Sequence, residues 1–201
     1  MFKTLYLFSC FLIFPFAFTI GQTYAEHYQK CRKALQLGDT PDSWPDELLE
    51  IMDSCLIGAM SPNFQEKTIN GNVVELSKLR GRVVVLIFWA IGCSPCVEEM
   101  PQLNKLVKFY SGKPVTFISL ADDKPAALTR FFKKHPFKFL TIANSEQIMN
   151  STFKLMSLFP YSIIIDKESR IYKMRIGGFG NQKEVVPFYQ NLIDQALEQL
   201  K

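Results

Sequence analysis

The chain has 201 residues, 48% of them hydrophobic, 13% aromatic and 21% charged. That is the composition of one globular domain with room for an appendage, not of a disordered tail. The net charge of +4, with no basic run, leaves no electrostatic footprint for a nucleic-acid partner. No repeat or low-complexity tract is present.

Met1-Phe2-Lys3 leads into an uncharged apolar run over residues 5–20. A short basic start followed by such a run reads as a secretory signal. Ala25 of Thr23-Tyr24-Ala25 then stands at the cleavage position and residues 1–25 form the export segment. The run falls just short of the roughly 17–25 residues that span a bilayer, so an uncleaved membrane anchor over residues 5–20 is an alternative. Lipid attachment at Cys10 is another, though Phe8 fits it poorly. All three send the chain to an extracytoplasmic, periplasm-like compartment where disulfides persist.

Residues 26–58 read as a separate helical hairpin. A first helix over 26–37 stops at Gly38, a turn-rich stretch follows, and Pro45 opens a second helix carrying Leu48, Leu49, Ile51, Met52, Cys55 and Leu56. Cys31 and Cys55 fall one on each helix. A disulfide between them suits a unit too small to bury much core; two buried free thiols, or a second redox pair, are the other readings.

From residue 61 the pattern alternates between strand and helix. Segments 63–69 and 72–76 flank Asn70-Gly71, a hairpin turn whose residues both tolerate positive φ. Residues 83–89 form an unbroken β-branched and aromatic run, as expected of a strand buried on both faces. A helix over 93–110 and a buried strand over 115–120 follow. Asp122-Asp123-Lys124-Pro125 starts a helix that ends at His135-Pro136. A strand is expected over 139–143, a helix over 145–153, and strands over 161–166 and 170–176. The last helix, over 183–200, places Val186, Tyr189, Ile193, Ala196 and Leu200 on one face. The sum is a mixed α/β sheet covered on both sides, residues 61–201.

Cys93-Ser94-Pro95-Cys96 stands where the buried strand gives way to a helix. Structural zinc needs four ligands, and one cysteine pair with two distant histidines, His27 and His135, does not supply them. A disulfide closing so short a loop removes little unfolded-chain entropy. Redox exchange fits better. The free N–H groups and positive dipole end of a helix stabilise a thiolate at Cys93, Pro95 is tolerated in the first turn, and Cys96 lies within reach to resolve a mixed disulfide.

Here the sequence resembles a known family. "FWAIGCSPCVEEMP", the later "FPYSIIID" and the opening "SPNFQEKTINGNVVELSKLRGRVVVLIFWA" are similar to exported thiol–disulfide oxidoreductases of the thioredoxin fold, of the TlpA/ResA/CcmG type. The resemblance covers residue 61 to the C-terminus and leaves out 26–58. It implies a thioredoxin fold with an N-terminal β-hairpin, a helix-kinking role for Pro101, and a cis peptide before Pro160 facing the CxxC. The backbone of Phe159 would there pair with a substrate chain. It also places Glu99 at the position of a buried acid that exchanges a proton with the second thiol. Glu99, at i+3 from Cys96, shares its helix face, and a solvated carboxylate is the plain alternative. In thioredoxins a central-strand aspartate serves this purpose, where this chain has Ile87. Gly92 stands where the family usually has Trp before the first cysteine, and Phe159 is unusually bulky. Trp89 reads as core.

The resulting expectation is an exported oxidoreductase needing no organic cofactor or metal. It reduces disulfides of exported proteins, with apocytochrome c as one candidate, and is recharged by a membrane thiol reductase. A thiol peroxidase is a second reading, although Thr or Ser close before a single peroxidatic cysteine is missing. A non-catalytic interaction module is a third.

Overall fold

The computed structural model describes residues 23–36, 46–155 and 158–199. The run at 5–20, Cys10, Leu37, Gly38, Pro45 and Leu200 lie outside them. Helix α1 (Tyr24–Ala34) starts ahead of the predicted Glu26 because Thr23 and Glu26 form a capping box. The Glu26 amide donates to Thr23 Oγ1, and the Thr23 amide donates to Glu26 Oε2, satisfying two donors that a helix start leaves open. Helix α2 (Asp46–Leu56) follows. A Cys31–Cys55 disulfide with Cα atoms 5.9 Å apart joins the two.

The β-hairpin is shorter than predicted, β1 (Gln65–Lys67) with β2 (Val73–Glu75). Its turn takes up the rest: Thr68 donates its amide to the Asn72 carbonyl and Gly71, at φ +85°, donates to Thr68. Strand β3 (Val83–Trp89) leads to α3 (Ser94–Phe109), then β4 (Val115–Ala121), α4 (Pro125–Phe131) and β5 (Leu140–Ile142). Helix α4 stops earlier than predicted, and tight turns carry the chain from Phe131 to His135. The helix expected at 145–153 is largely a wide π turn, Ile148–Thr152. Strands β6 (Tyr161–Ile165) and β7 (Ile171–Ile176) precede α5 (Val185–Glu198). The buried stripe of α5 begins at Val185, not Val186, and runs on through Tyr189, Ile193 and Ala196. Two adjacent valines had left that register open.

The five main strands lie in the order β5-β4-β3-β6-β7, the first three mutually parallel, β6 antiparallel to β3 and β7 antiparallel to β6. Side chains alternate along β3, so its two faces build different cores. Val83, Val85 and Ile87 pack with Leu103 and Leu106 of α3 and with Tyr189 and Ile193 of α5. Val84, Leu86 and Phe88 face α1, α2 and the π turn. There the Phe153 ring meets Tyr24, Phe64 and Phe88 edge-on, and the Tyr24 hydroxyl donates to the Phe153 carbonyl at 2.5 Å. The helical hairpin is therefore one wall of the sheet's own core, where the sequence suggested a separate unit. Short bridges fasten the segment between hairpin and sheet at both edges, Met60 to Arg170 beside β7 and Thr68 to Ile142 on β5.

Candidate functional site

Strand β3 is apolar to its last residue and delivers Trp89, fully buried, to the C-terminal end of the parallel strands. Residues 90–92 then turn the chain into α3. The turn is fixed twice: the Cys93 amide donates to the Ala90 carbonyl at 3.0 Å, and the Ile91 amide donates to Asp123 Oδ2 at 2.7 Å. Cys93 is the N-cap of α3, and its Sγ accepts the Cys96 amide at 3.3 Å. A sulfur held there faces the unsatisfied amides of the first turn, an environment that favours thiolate over thiol once the bond is reduced. Pro95 occupies the first turn and costs no hydrogen bond.

The two cysteines are joined in a disulfide with Cα atoms 5.3 Å apart. Cys93 is half-buried, whereas Cys96 is 3% exposed. A partner's sulfur therefore has access to the first and little to the second. Their apolar surroundings are Trp89, Met100, Ala121 and Leu128, with Ile91 and Phe159 packed against the same cluster.

Glu99 lies below this pair, 2% exposed. Its Oε1 accepts the Phe179 amide at 2.7 Å. Burial pushes its carboxyl above the ordinary glutamate range, opposed by the Phe179 amide and the Arg175 guanidinium and reinforced by Glu98. Such a group takes up a proton more readily than a solvated carboxylate. Glu98 faces solvent and accepts from Ser94 Oγ at 3.0 Å.

The Phe159–Pro160 peptide is cis. Tyr161, the next residue, pairs across the sheet with Phe88, which brings Pro160 to the same end of the molecule as Cys93. Phe159 is half-buried and Leu158 is 38% exposed. The Pro160 carbonyl accepts the amide of Gly177, and the following Gly178 lies against Pro95. Cys93, Cys96, Glu99, Phe159 and Pro160 are thus assembled at one end of the sheet. Cys31 and Cys55 lie away from it, Cys31 within the core on the other face and Cys55 half-buried against it. Among the described residues no three His, Cys, Asp or Glu side chains converge on a common point.

Sequence reasoning missed two features. Asp123, read as part of a helix start, instead braces the turn before Cys93, while α4 begins on Lys124 without a side-chain cap. The segment "RIGGFG" from Arg175 to Gly180, read only as the end of a strand, crosses the CxxC. Its paired glycines were the available signal.

A vicinal cysteine pair with one exposed and one shielded sulfur can pass two electrons to or from another disulfide. Known proteins agree. The Redoxin family profile matches residues 57–192. The thiol–disulfide oxidoreductase ResA of Bacillus anthracis is 35% identical over 122 residues, which are 60% of this chain and 70% of that protein. ResA of Bacillus subtilis (strain 168) is 26% identical over 137 residues, 68% of this chain and 75% of that one. Among solved structures, a candidate thiol:disulfide interchange protein DsbE from Chlorobium tepidum superposes with a TM-score of 0.62 at 25% identity, over 70% of this chain and 97% of that one. A candidate thioredoxin from Neisseria meningitidis gives 0.59 at 25% identity, over 70% and 91%. The chain belongs to the Redoxin family and is a thiol–disulfide oxidoreductase of the thioredoxin fold.

Proposed function

We propose that this enzyme works outside the cytoplasm as a reductant of protein disulfides, with Cys93 as nucleophile and Cys96 as resolving thiol. In the reduced enzyme the Cys93 thiolate attacks a partner's disulfide, forming a mixed disulfide and releasing one partner sulfur as thiolate. Cys96 gives its proton to the Glu99 carboxylate and attacks Cys93 Sγ. The second partner sulfur leaves as thiolate and the Cys93–Cys96 disulfide forms. Two electrons have moved to the partner. Phe159, packed against the same apolar cluster as Cys93, offers a partner chain its backbone contacts, and Pro160 fixes the backbone beside it. Neither metal nor organic cofactor enters these steps. A membrane thiol reductase restores the dithiol. Apocytochrome c is a candidate among disulfide-bearing exported partners.

The observation that carries this reading is the asymmetry of one helix start: an accessible Cys93 capping α3, a shielded Cys96, and the buried acid Glu99 beneath. Ser94-Pro95 between the cysteines lacks a histidine that would stabilise the reduced form, which favours the reducing direction. The Cys31–Cys55 bond supports an oxidising compartment. Cleavage after Ala25 would remove the cap residue Thr23 and the buried Tyr24, so we place any processing ahead of Thr23 instead of at the predicted site. Among the described residues no helix is long and apolar enough to cross a membrane, and anchoring would fall to residues 5–20.

Reduction of insulin by the exported protein, with a regenerating reductant, tests the assignment. Wild type turns over, Cys93→Ser does not, and Cys96→Ser accumulates a mixed disulfide. Turnover surviving in Cys93→Ser sinks it. A Cys93 that alkylates with the ordinary thiol pKa of about 8.5 favours a binding module, and peroxide consumption without a protein partner favours the peroxidase.

A further inference from the structure

Residues 176–180, the turn leaving β7, join three parts of the site through three consecutive residues. Gly177, at φ +82°, donates its amide to the Pro160 carbonyl at 2.9 Å. Gly178 lies so close to the CxxC that a Cβ on it would stand 2.6 Å from Pro95 Cβ and 3.2 Å from Glu99 Oε1. Phe179 donates its amide to Glu99 Oε1. Arg175 clamps the same turn from behind. Its guanidinium donates to the carbonyls of Gly177 and Gly178, the second at 3.0 Å, and stacks 3.9 Å over the Phe179 ring. That ring is in turn edge-on to Phe188 of α5.

No residue but glycine fits position 178. Pro95 is a rigid ring in the first turn of α3 and cannot yield to a methyl group at 2.6 Å, so the turn would have to lift. The Phe179–Glu99 hydrogen bond lies one residue further on and would lengthen with it, and such bonds weaken steeply once stretched or misaligned. Arg175 meets the same end by fixing both carbonyls that flank Gly178.

We propose that Gly178 and Arg175 are positioning residues for Glu99: they hold the Phe179 amide on its carboxylate and so fix how readily Glu99 takes the proton of Cys96. This rests on the assignment of Glu99 as that proton acceptor. Neither residue touches the reacting sulfurs. Gly178 acts through one backbone N–H; Arg175 acts through the same N–H and, in addition, through its own charge.

The test isolates the resolving step. Reduced full-length enzyme is given the disulfide of thionitrobenzoate, which loads one thionitrobenzoate onto Cys93. Stopped-flow absorbance then follows its release as the Cys93–Cys96 disulfide forms, from acid to alkaline pH. Loss of the amide leaves the Glu99 carboxylate less stabilised, so its working range moves up. Gly178→Ala should shift the pH midpoint of resolution alkaline by about half a unit or more and slow it about threefold near neutrality. Arg175→Gln introduces no clash and should shift it in the same direction, by loss of the clamp and of a charge that favours the carboxylate. In a Glu99→Gln background, Gly178→Ala should add nothing.

Profiles of Gly178→Ala and Arg175→Gln superimposed on wild type, with Glu99→Gln displaced, would overturn this inference and leave the Glu99 assignment standing. A Glu99→Gln profile unchanged from wild type would overturn both. An equal shift by Gly178→Ala with and without Glu99 would show that the turn acts by another route, and would overturn it too. Should Gly178→Ala fail to fold, Arg175→Lys, which keeps the charge and gives up the paired donors to the Gly177 and Gly178 carbonyls, decides by the same readings.

Discussion

The molecule contains the same covalent bond twice, each time between a buried and a half-buried cysteine, in two settings that differ in the loop closed and in the helix position. Cys31–Cys55 joins two helices across a sequence separation of 24, with Cys31 0% exposed inside the core. Cys93–Cys96 spans a separation of 3 at a helix start, with Cys93 half-buried and Cys96 buried. Loop-closure entropy assigns about 3.5 kcal/mol of stability to the first and under about 2 kcal/mol to the second. The amide donors rank them the other way for reactivity, since of the two half-buried cysteines, Cys55 and Cys93, only Cys93 stands at a helix start. What a disulfide does is decided by the loop it closes and by the groups around its sulfurs, not by the bond.

The sharpest way to break this comparison is to remove the buried bond. Cys31→Ala with Cys55→Ala should lower unfolding free energy by about 3.5 kcal/mol, with a further loss for the cavity left at Cys31. Insulin-reducing turnover measured well below the new melting temperature should stay near wild type. Denaturant titration and steady-state rates check both halves. Lost turnover in a variant that remains folded would mean that the staple belongs to the redox machinery after all.

Asp53, two residues before Cys55, allows a finer cut. It is buried on α2 and accepts the hydroxyl proton of Tyr161, the residue after Pro160. Burial raises its pKa to about 6 from the usual 3.8; the Tyr161 hydrogen bond and Lys173 oppose that rise and Glu50 adds to it. With the folded value above the unfolded one, the group's contribution is fully present below about 3.8 and is lost as pH rises through about 6. Against Asp53→Asn, whose amide oxygen keeps the Tyr161 bond, wild type should lose stability on the order of 3 kcal/mol at most between acid and neutral pH. Denaturant melts across that range measure it. A difference independent of pH would show that the carboxylate is not strained by burial. Cys93 alkylation should be the same in both proteins, as expected if the hairpin side supports and does not react.

The same division governs what could be read from the sequence. The catalytic end is encoded locally: a strand buried on both faces announces itself as an unbroken run from Val83 to Trp89, and Cys93 and Pro95 mark a helix start by their backbone chemistry. Those signals need no tertiary information. The hairpin side is different. The apolar stripe of α2, Met52 and Leu56 among it, shows that one face is buried but not what buries it, so its place against Phe88 and Phe153 was not legible. Gly177 and Gly178, just past the strand expected to end at Ile176, carry no reading of their own, because paired glycines say that something comes close without saying what. Asp123 reads as part of a helix start since Pro125, two residues on, makes a helix start the local choice. Its actual partner, the Ile91 amide, lies 32 residues away.

Asp123 also gives the smallest expected effect and the most direct probe of how the exposed bond differs from the buried one. If Cys93 owes its reactivity to the position of the helix start, then whatever fixes residues 90–92 tunes it. The 2.7 Å bond from the Ile91 amide to Asp123 Oδ2 is charge-assisted and is worth about 1.5 kcal/mol or somewhat more. Asp123→Ala leaves that amide unpaired and lets the turn relax. Iodoacetamide should then alkylate Cys93 several-fold more slowly at neutral pH, with a stability loss of about 1–2 kcal/mol. Asp123→Asn retains an acceptor and should lie between that variant and wild type. Equally faster alkylation in both would trace the effect to the negative charge near the sulfur and not to the brace. An anion beside Cys93 disfavours the thiolate, so charge alone predicts a gain on its removal where the brace predicts a loss, and the sign of the change separates the two causes.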